Sequence, residues 1–323
     1  MSVESRPHEA SEPYDFRHLN GQYYQEEGPD DYILGRLYAL FAIGGSTDRF
    51  MDLLSPGVDF HGARISLQQA VGEDDEAAAR EQNQRFVDHY VRIEVHSLKH
   101  LAIETLLRLF LGHRVLPPCP WQKITRVTSA KEFKRQVKSV IVDTDQEQLE
   151  RDVGHVLFAS DLAPDQYCDD DREAAKNLAG FIRRFASSWL DEAKSYNSTK
   201  HGSTAIPGDA ILDMGPVGEE QIRLGEGDSL AHLTFKNENG TERHWSLTTR
   251  WIRPSEAIET IILVQHMLTP LWSIARYRYG FGEQAVKFAP PPDVFSPESL
   301  GSNEIGALAE VSLPLFIERI GGS

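Results

Sequence analysis

The stretch FIRRFASSWLDEAKSYNSTKHG, residues 181–202, decides the fold. Phe181, Phe185 and Trp189 stand four residues apart, so they share one ridge of an α-helix, and aromatics repeated on a ridge mark a face turned toward a core. Continued at the same step, the ridge passes through Ala193, Asn197 and His201. It turns polar just before Gly202, a residue type that ends helices in a left-handed cap. An inward amide and imidazole are costly to desolvate without partners. Asn197 and His201 are therefore candidate site residues, and equally candidate caps for the last free carbonyls of the helix.

Working outward, this helix is expected from Arg172 to about Lys200, with Asp169, Asp170 and Asp171 at its positive end. The longest helical signal lies upstream, from about Glu73 to His113. Val91, Val95, Leu98, Ala102, Leu106 and Phe110 recur there at three- and four-residue steps as a core stripe. Beside that stripe, Arg92, His96, His100, Glu104 and Arg108 follow one another at four-residue steps. Antiparallel packing of the two helices would bring Asn197 and His201 near Arg92, His96 and His100. His-x3-His followed by Glu is also a helical metal spacing, but the ligand set is incomplete. The expectation is a solvated face, with no metal and no cofactor.

Shorter helices are expected at 32–41, at 129–140 behind a Ser129-x-x-Glu132 capping box, and at 146–158. Pro117, Pro118 and Pro120 stop the long helix. A final helix should open at Pro254, run to Tyr279 and kink near Pro270. Before it, residues 203–228 are rich in glycine and carry Pro207 and Pro216, which reads as loop with a short strand at 221–224. Ala231, Leu233 and Phe235, then Trp245, Leu247 and Trp251, alternate with polar residues around Asn239-Gly240. That pattern predicts a hairpin with its apolar face buried.

The segments are thus a flexible acidic extension (1–30), an N-terminal helical segment (31–72) with an apolar cluster at Phe50–Leu54, and a helical bundle core (73–202). A loop and β hairpin (203–253) follow, then a long kinked helix packing on the bundle (254–280) and a Pro/Gly-rich tail (281–323) with one apolar run at Val311–Ile317. The fold class expected is mainly α: a helical bundle with a small antiparallel β hairpin or meander insertion.

Composition narrows function. The 323 residues carry 33 Lys and Arg against 49 Asp and Glu, a net charge of -16, which opposes phosphate backbones at long range. Cys119 and Cys168 cannot build a disulfide framework, so a reducing compartment is expected. The N-terminal residues lack an apolar h-region. Ile258–Ala275, interrupted by Glu259, Gln265, His266 and Pro270, reads as too short and too polar for a bilayer. A cytoplasmic protein without membrane contact is the expectation. The Gly-x4-Gly-Lys-Ser/Thr, Gly-x-Gly-x-x-Gly, His-Glu-x-x-His and Gly-x-Ser-x-Gly patterns are missing, which removes the usual support for four enzyme classes. Arg276-Tyr277-Arg278-Tyr279 interleaves cations and aromatics, but reads as a cationic helix end.

Tyr196-Asn197-x-x-x-His201 resembles the Arg-polar-x-x-x-His signature of the HEPN superfamily, and the longer Tyr-Asn-x-x-Lys-His-Gly looks like a variant of it. The resemblance spans roughly residues 76–202. It implies a helical bundle, a homodimer, a bacterial defence or toxin–antitoxin setting, and a metal-independent ribonuclease centre. His201 would be the acid/base there and Asn197 the polar helper. Tyr196 stands where the superfamily has arginine, and a phenol carries no permanent positive charge; Lys200 or Arg92 would have to supply it. The first reading is accordingly a non-catalytic interaction or ligand-binding module with a protein partner. The alternative is a ribonuclease built on His201, with RNA as a partner that the net charge disfavours.

Overall fold

The computed structural model describes residues 15–45, 58–60, 63–65, 76–126, 129–161, 163–200, 205–214, 222–238, 242–282 and 310–319. The Phe50–Leu54 cluster, His201 and Gly202 lie outside the described residues. In chain order the elements are α1 (Arg17–Gln25), α2 (Pro29–Gly44), β1 (Val58–Phe60), β2 (Ala63–Ile65) and α3 (Glu76–His113). Then come α4 (Pro120–Arg126), α5 (Ala130–Val142), α6 (Gln146–Leu157) and α7 (Asp169–Lys200). The chain continues through β3 (Ala205–Met214), β4 (Ile222–Glu238), β5 (Glu242–Trp251), α8 (Pro254–Arg278) and β6 (Glu310–Arg319). The fold is mainly helical with a small four-stranded antiparallel sheet.

α3 is the axis of the bundle. Leu98, Ala102, Leu106, Leu107 and Phe110 are wholly buried along it, and α2, α7 and α8 pack around it. Local chemistry sets the other helix starts. Ser129 Oγ accepts from the Glu132 amide at 3.2 Å to open α5, and an Asp145 carboxylate oxygen accepts from the Gln148 amide at 2.7 Å to open α6. Three aspartates occupy the first turn of α7, and Arg276 and Arg278 the last turn of α8. Pro270 is buried inside α8, which continues through it. By length and composition alone α8 is long and apolar enough to cross a membrane, contrary to the expectation from its polar interruptions, and 56% of its most apolar window is buried inside the protein.

Within the expected flexible extension, residues 15–30 depart from the expectation: α1 docks on the bundle by aromatic packing. Tyr24 is fully buried, its hydroxyl lies 2.7 Å from His113 Nε2, and its ring stacks on Tyr279. A polar nine-residue helix anchored by two adjacent tyrosines, Tyr23 on Trp121 and Tyr24 in the core, leaves no periodic signal in the sequence.

The β region is larger than a hairpin. All four strands pair antiparallel in the order β3-β4-β5-β6, so the glycine-rich stretch read as loop supplies β3 and half of β4, and the Pro/Gly-rich tail supplies β6. The glycines have a packing reason. A Cβ on Gly225 would meet the Trp251 ring at 2.8 Å, and Gly227 adopts φ +120°. Pro207 and Pro314 are tolerated because β3 and β6 are the edge strands.

The register gives two unlike faces. One carries Leu233 opposite Leu247 and Leu313, and Phe235 opposite Trp245 and Phe316. The other carries His232, Thr248 and Ser312 in a row, with Leu230, Arg250 and Glu310 beside it. The burial is the reverse of the hairpin expectation. His232 and Thr248 are 3% and 2% exposed, whereas Leu233 and Phe235 are 53% and 46% exposed. The polar face turns to the bundle because α3 and α7 offer charges there, not an apolar stripe.

Candidate functional site: a buried polar seam

α3 and α7 run antiparallel, and their contacts are polar on the side where the sheet docks. Lys99 Nζ lies 2.6 Å from Glu192 Oε1, Ser195 Oγ 3.3 Å from His96 Nε2, and Ser97 Oγ donates to Thr199 Oγ1 at 3.3 Å. The His100 ring stacks on Tyr196 at 4.0 Å between centroids and faces Trp189 at 5.6 Å. Trp189 Nε1 donates to Glu104 Oε2 at 3.4 Å, and Glu104 pairs in turn with Arg108 at 2.7 Å.

The sheet closes the seam with charge. Arg250 of β5 bridges Glu192 on α7 at 3.5 Å and Glu310 on β6 at 3.2 Å. Arg92 of α3 is held by Asp209 of β3 at 3.2 Å and Asp228 of β4 at 2.9 Å. Behind Arg250, Thr248 Oγ1 links to Thr234 Oγ1 at 2.9 Å and Ser312 Oγ at 2.8 Å.

Burial sets the electrostatics. Desolvation pushes the His96 and His100 imidazoles down to about 4, against the opposing pull of Glu192. His232 is lowered for the same reason. Burial would raise the Glu192 carboxyl, but Lys99 above all, with Arg250, outweighs it and holds the group at about 2. The result is one ionised carboxylate between two cations, flanked by neutral imidazoles. Neither ring nitrogen of His100, nor His232 Nδ1, nor Glu192 Oε2, has a hydrogen-bond partner among the described residues. Such groups cost stability, which marks the seam as more than an economical way to join two layers.

The sequence-derived candidates separate here. Tyr196 is half-buried on His100, and burial followed by Glu104 raises its phenol. Lys200 Nζ lies over the same ring, 6.0 Å from its centroid. Asn197 is exposed, contrary to the ridge argument. The reason is geometric: each four-residue step advances about 40° beyond a full turn, so four steps from Phe181 carry a residue nearly to the opposite face. The buried track is instead Trp189, Glu192, Ser195 and Thr199 at three- and four-residue steps. His96 and His100, expected on a solvated face, are 4% and 1% exposed. His96, His100 and Glu104 make separate contacts, and no cluster of three His, Cys, Asp or Glu among the described residues can hold a metal.

Sequence reasoning missed Lys99, Glu192, His232 and Arg250. A helical track with alternating steps finds Glu192. Nothing in the strand alternation points to His232 or Arg250, because polarity alone assigns them to solvent. An open cavity of about 360 Å³ lies elsewhere, lined by Cys119, Gln122, Lys123, Arg126 and Gln136 among others, and shares no residue with the seam. Compared with known proteins, the chain matches no family model, no curated protein and no solved structure at a significant level.

Proposed function

We propose that the chain is a non-catalytic interaction module, a HEPN-like helical bundle that holds a β-sheet out as a recognition surface. The observation that carries this is the state of the seam. Arg92, the cation nearest the role of a missing arginine, is engaged by Asp209 and Asp228, and the imidazoles at 96 and 100 are closed in and neutral. A general acid/base needs access to its substrate and a pKa near the working pH; His96 and His100 have neither, so the seam supplies no second acid/base beside His201. Stabilising a phosphorane-like charge needs a cation not already matched by carboxylates. Arg250–Glu192 and the pairs of Arg92 with Asp209 and Asp228 act as a latch that fixes the sheet on the bundle, with Lys99 holding Glu192 in place from α3.

The test is incubation of the protein with single-stranded and structured RNA in EDTA, for parent and His201→Ala. No cleavage by either supports the reading. Cleavage by the parent that His201→Ala abolishes without lowering its melting temperature would sink it, and the ribonuclease alternative would stand.

A further inference from the structure

We infer that the outer face of the four-stranded sheet is a docking surface for a second copy of this chain. The face is apolar and open: Ile206, Leu233, Phe235, Leu313 and Phe316 are 70%, 53%, 46%, 51% and 57% exposed. They are not scattered. The strand register places Ile206 beside Ala231, Leu233 and Leu313 on either side of Leu247, and Phe235 and Phe316 on either side of Trp245. The rings touch in a row, Phe235 to Trp245 at 5.0 Å and Trp245 to Phe316 at 6.1 Å. Single exposed apolar side chains are ordinary, whereas a contiguous patch across a whole sheet marks an interaction site.

Size and charge choose the occupant. Four strands at about 4.8 Å spacing and ten residues at about 3.3 Å rise give a face of roughly 600 Å². Two such faces together remove about 1,200 Å² from solvent, the lower bound for a specific, stable complex. The two charges of the face cancel: Arg243 lies over the Phe235 ring at 5.2 Å, Glu318 accepts from Trp245 Nε1 at 2.8 Å, and the two pair at 3.6 Å, so the face has no net charge. A neutral face offers nothing to a phosphate backbone or a charged peptide. It can meet its own copy across a two-fold axis without opposing like charges, although each chain carries -16. Two sheets so joined pack about 10 Å apart as a sandwich across the axis, with the polar seams on the outside of each sheet.

This inference rests on the reading of the chain as an interaction module. The experiment is sedimentation of the full chain from 1 to 100 μM for parent, Leu233→Lys and Ile211→Lys, with circular dichroism to verify folding. Ile211 is 58% exposed and lies on the opposite face, so its variant controls for lost apolar surface. The expected parent mass is twice the 36.4 kDa chain. Leu233→Lys should weaken association by at least about 30-fold, the effect of a hot-spot residue, while Ile211→Lys stays dimeric. A parent that is monomeric throughout overturns the proposal, whether the face is bare or covered by another segment of the chain. A dimer that tolerates Leu233→Lys overturns it as well. Ribonuclease activity would overturn the module reading and leave these masses unchanged, so the two failures are distinguishable.

Discussion

Replacing His100 by phenylalanine should make the protein less sensitive to acid, by an amount the structure sets. The ring is 1% exposed, stacked between Tyr196 and Trp189, with neither nitrogen hydrogen-bonded among the described residues. Burial lowers its pKa from 6.5 to about 4. The folded state therefore binds this proton less readily than the unfolded chain. The histidine's contribution is fully present above pH 6.5 and is lost as pH falls toward 4. Linkage over that shift gives a loss of about 2.5 kcal/mol between pH 7.5 and pH 4.5. Phenylalanine keeps the stack and cannot bind the proton. Its larger ring adds a packing offset that does not vary with pH. His96 and His113, also lowered to about 4 by burial, destabilise both proteins alike in acid and cancel in the comparison. The assay is urea unfolding at half-unit intervals from pH 7.5 to 4.5, with equal m-values required of the two proteins. The stability of His100→Phe relative to the parent should rise by about 2–3 kcal/mol across the range. A difference that stays constant within about 0.5 kcal/mol would refute a neutral, desolvated His100, and the account of the seam with it.

Two further outcomes follow from particular contacts. Glu192→Ala leaves the Lys99 ammonium and the Arg250 guanidinium, 19% and 15% exposed, without their shared carboxylate; it should cost about 3–5 kcal/mol in urea unfolding at pH 7, and a loss below about 1 kcal/mol would show that the latch contributes little. Gly225→Ala places a methyl 2.8 Å from the Trp251 ring and should cost about 1–3 kcal/mol with a change in tryptophan emission; an unshifted melt and spectrum would mean that Trp251 does not lie across β4.

Periodicity alone determined the long helices α3 and α7. The apolar stripe of α3, the aromatic track at Phe181, Phe185 and Trp189, and the Ser129 cap depend on residues within a few turns of one another, where 3.6-residue geometry is reliable. The same geometry, stretched over four steps of four residues, misplaced Asn197 and overlooked Glu192, since the error grows with each step. Tertiary structure decided everything that joins the sheet to the bundle. The alternation in β4 and β5 shows which residues share a face, but not which face turns inward. That depends on what the sheet meets, and it meets Arg92 and Glu192. The cost of burying Arg250 is lowered by partners on α7 and β6, the latter, Glu310, 60 residues away in the chain. Nothing in a local window records such partners. A strand's own polarity therefore pointed the wrong way, because ion pairs with distant residues hold this face of the sheet against the bundle.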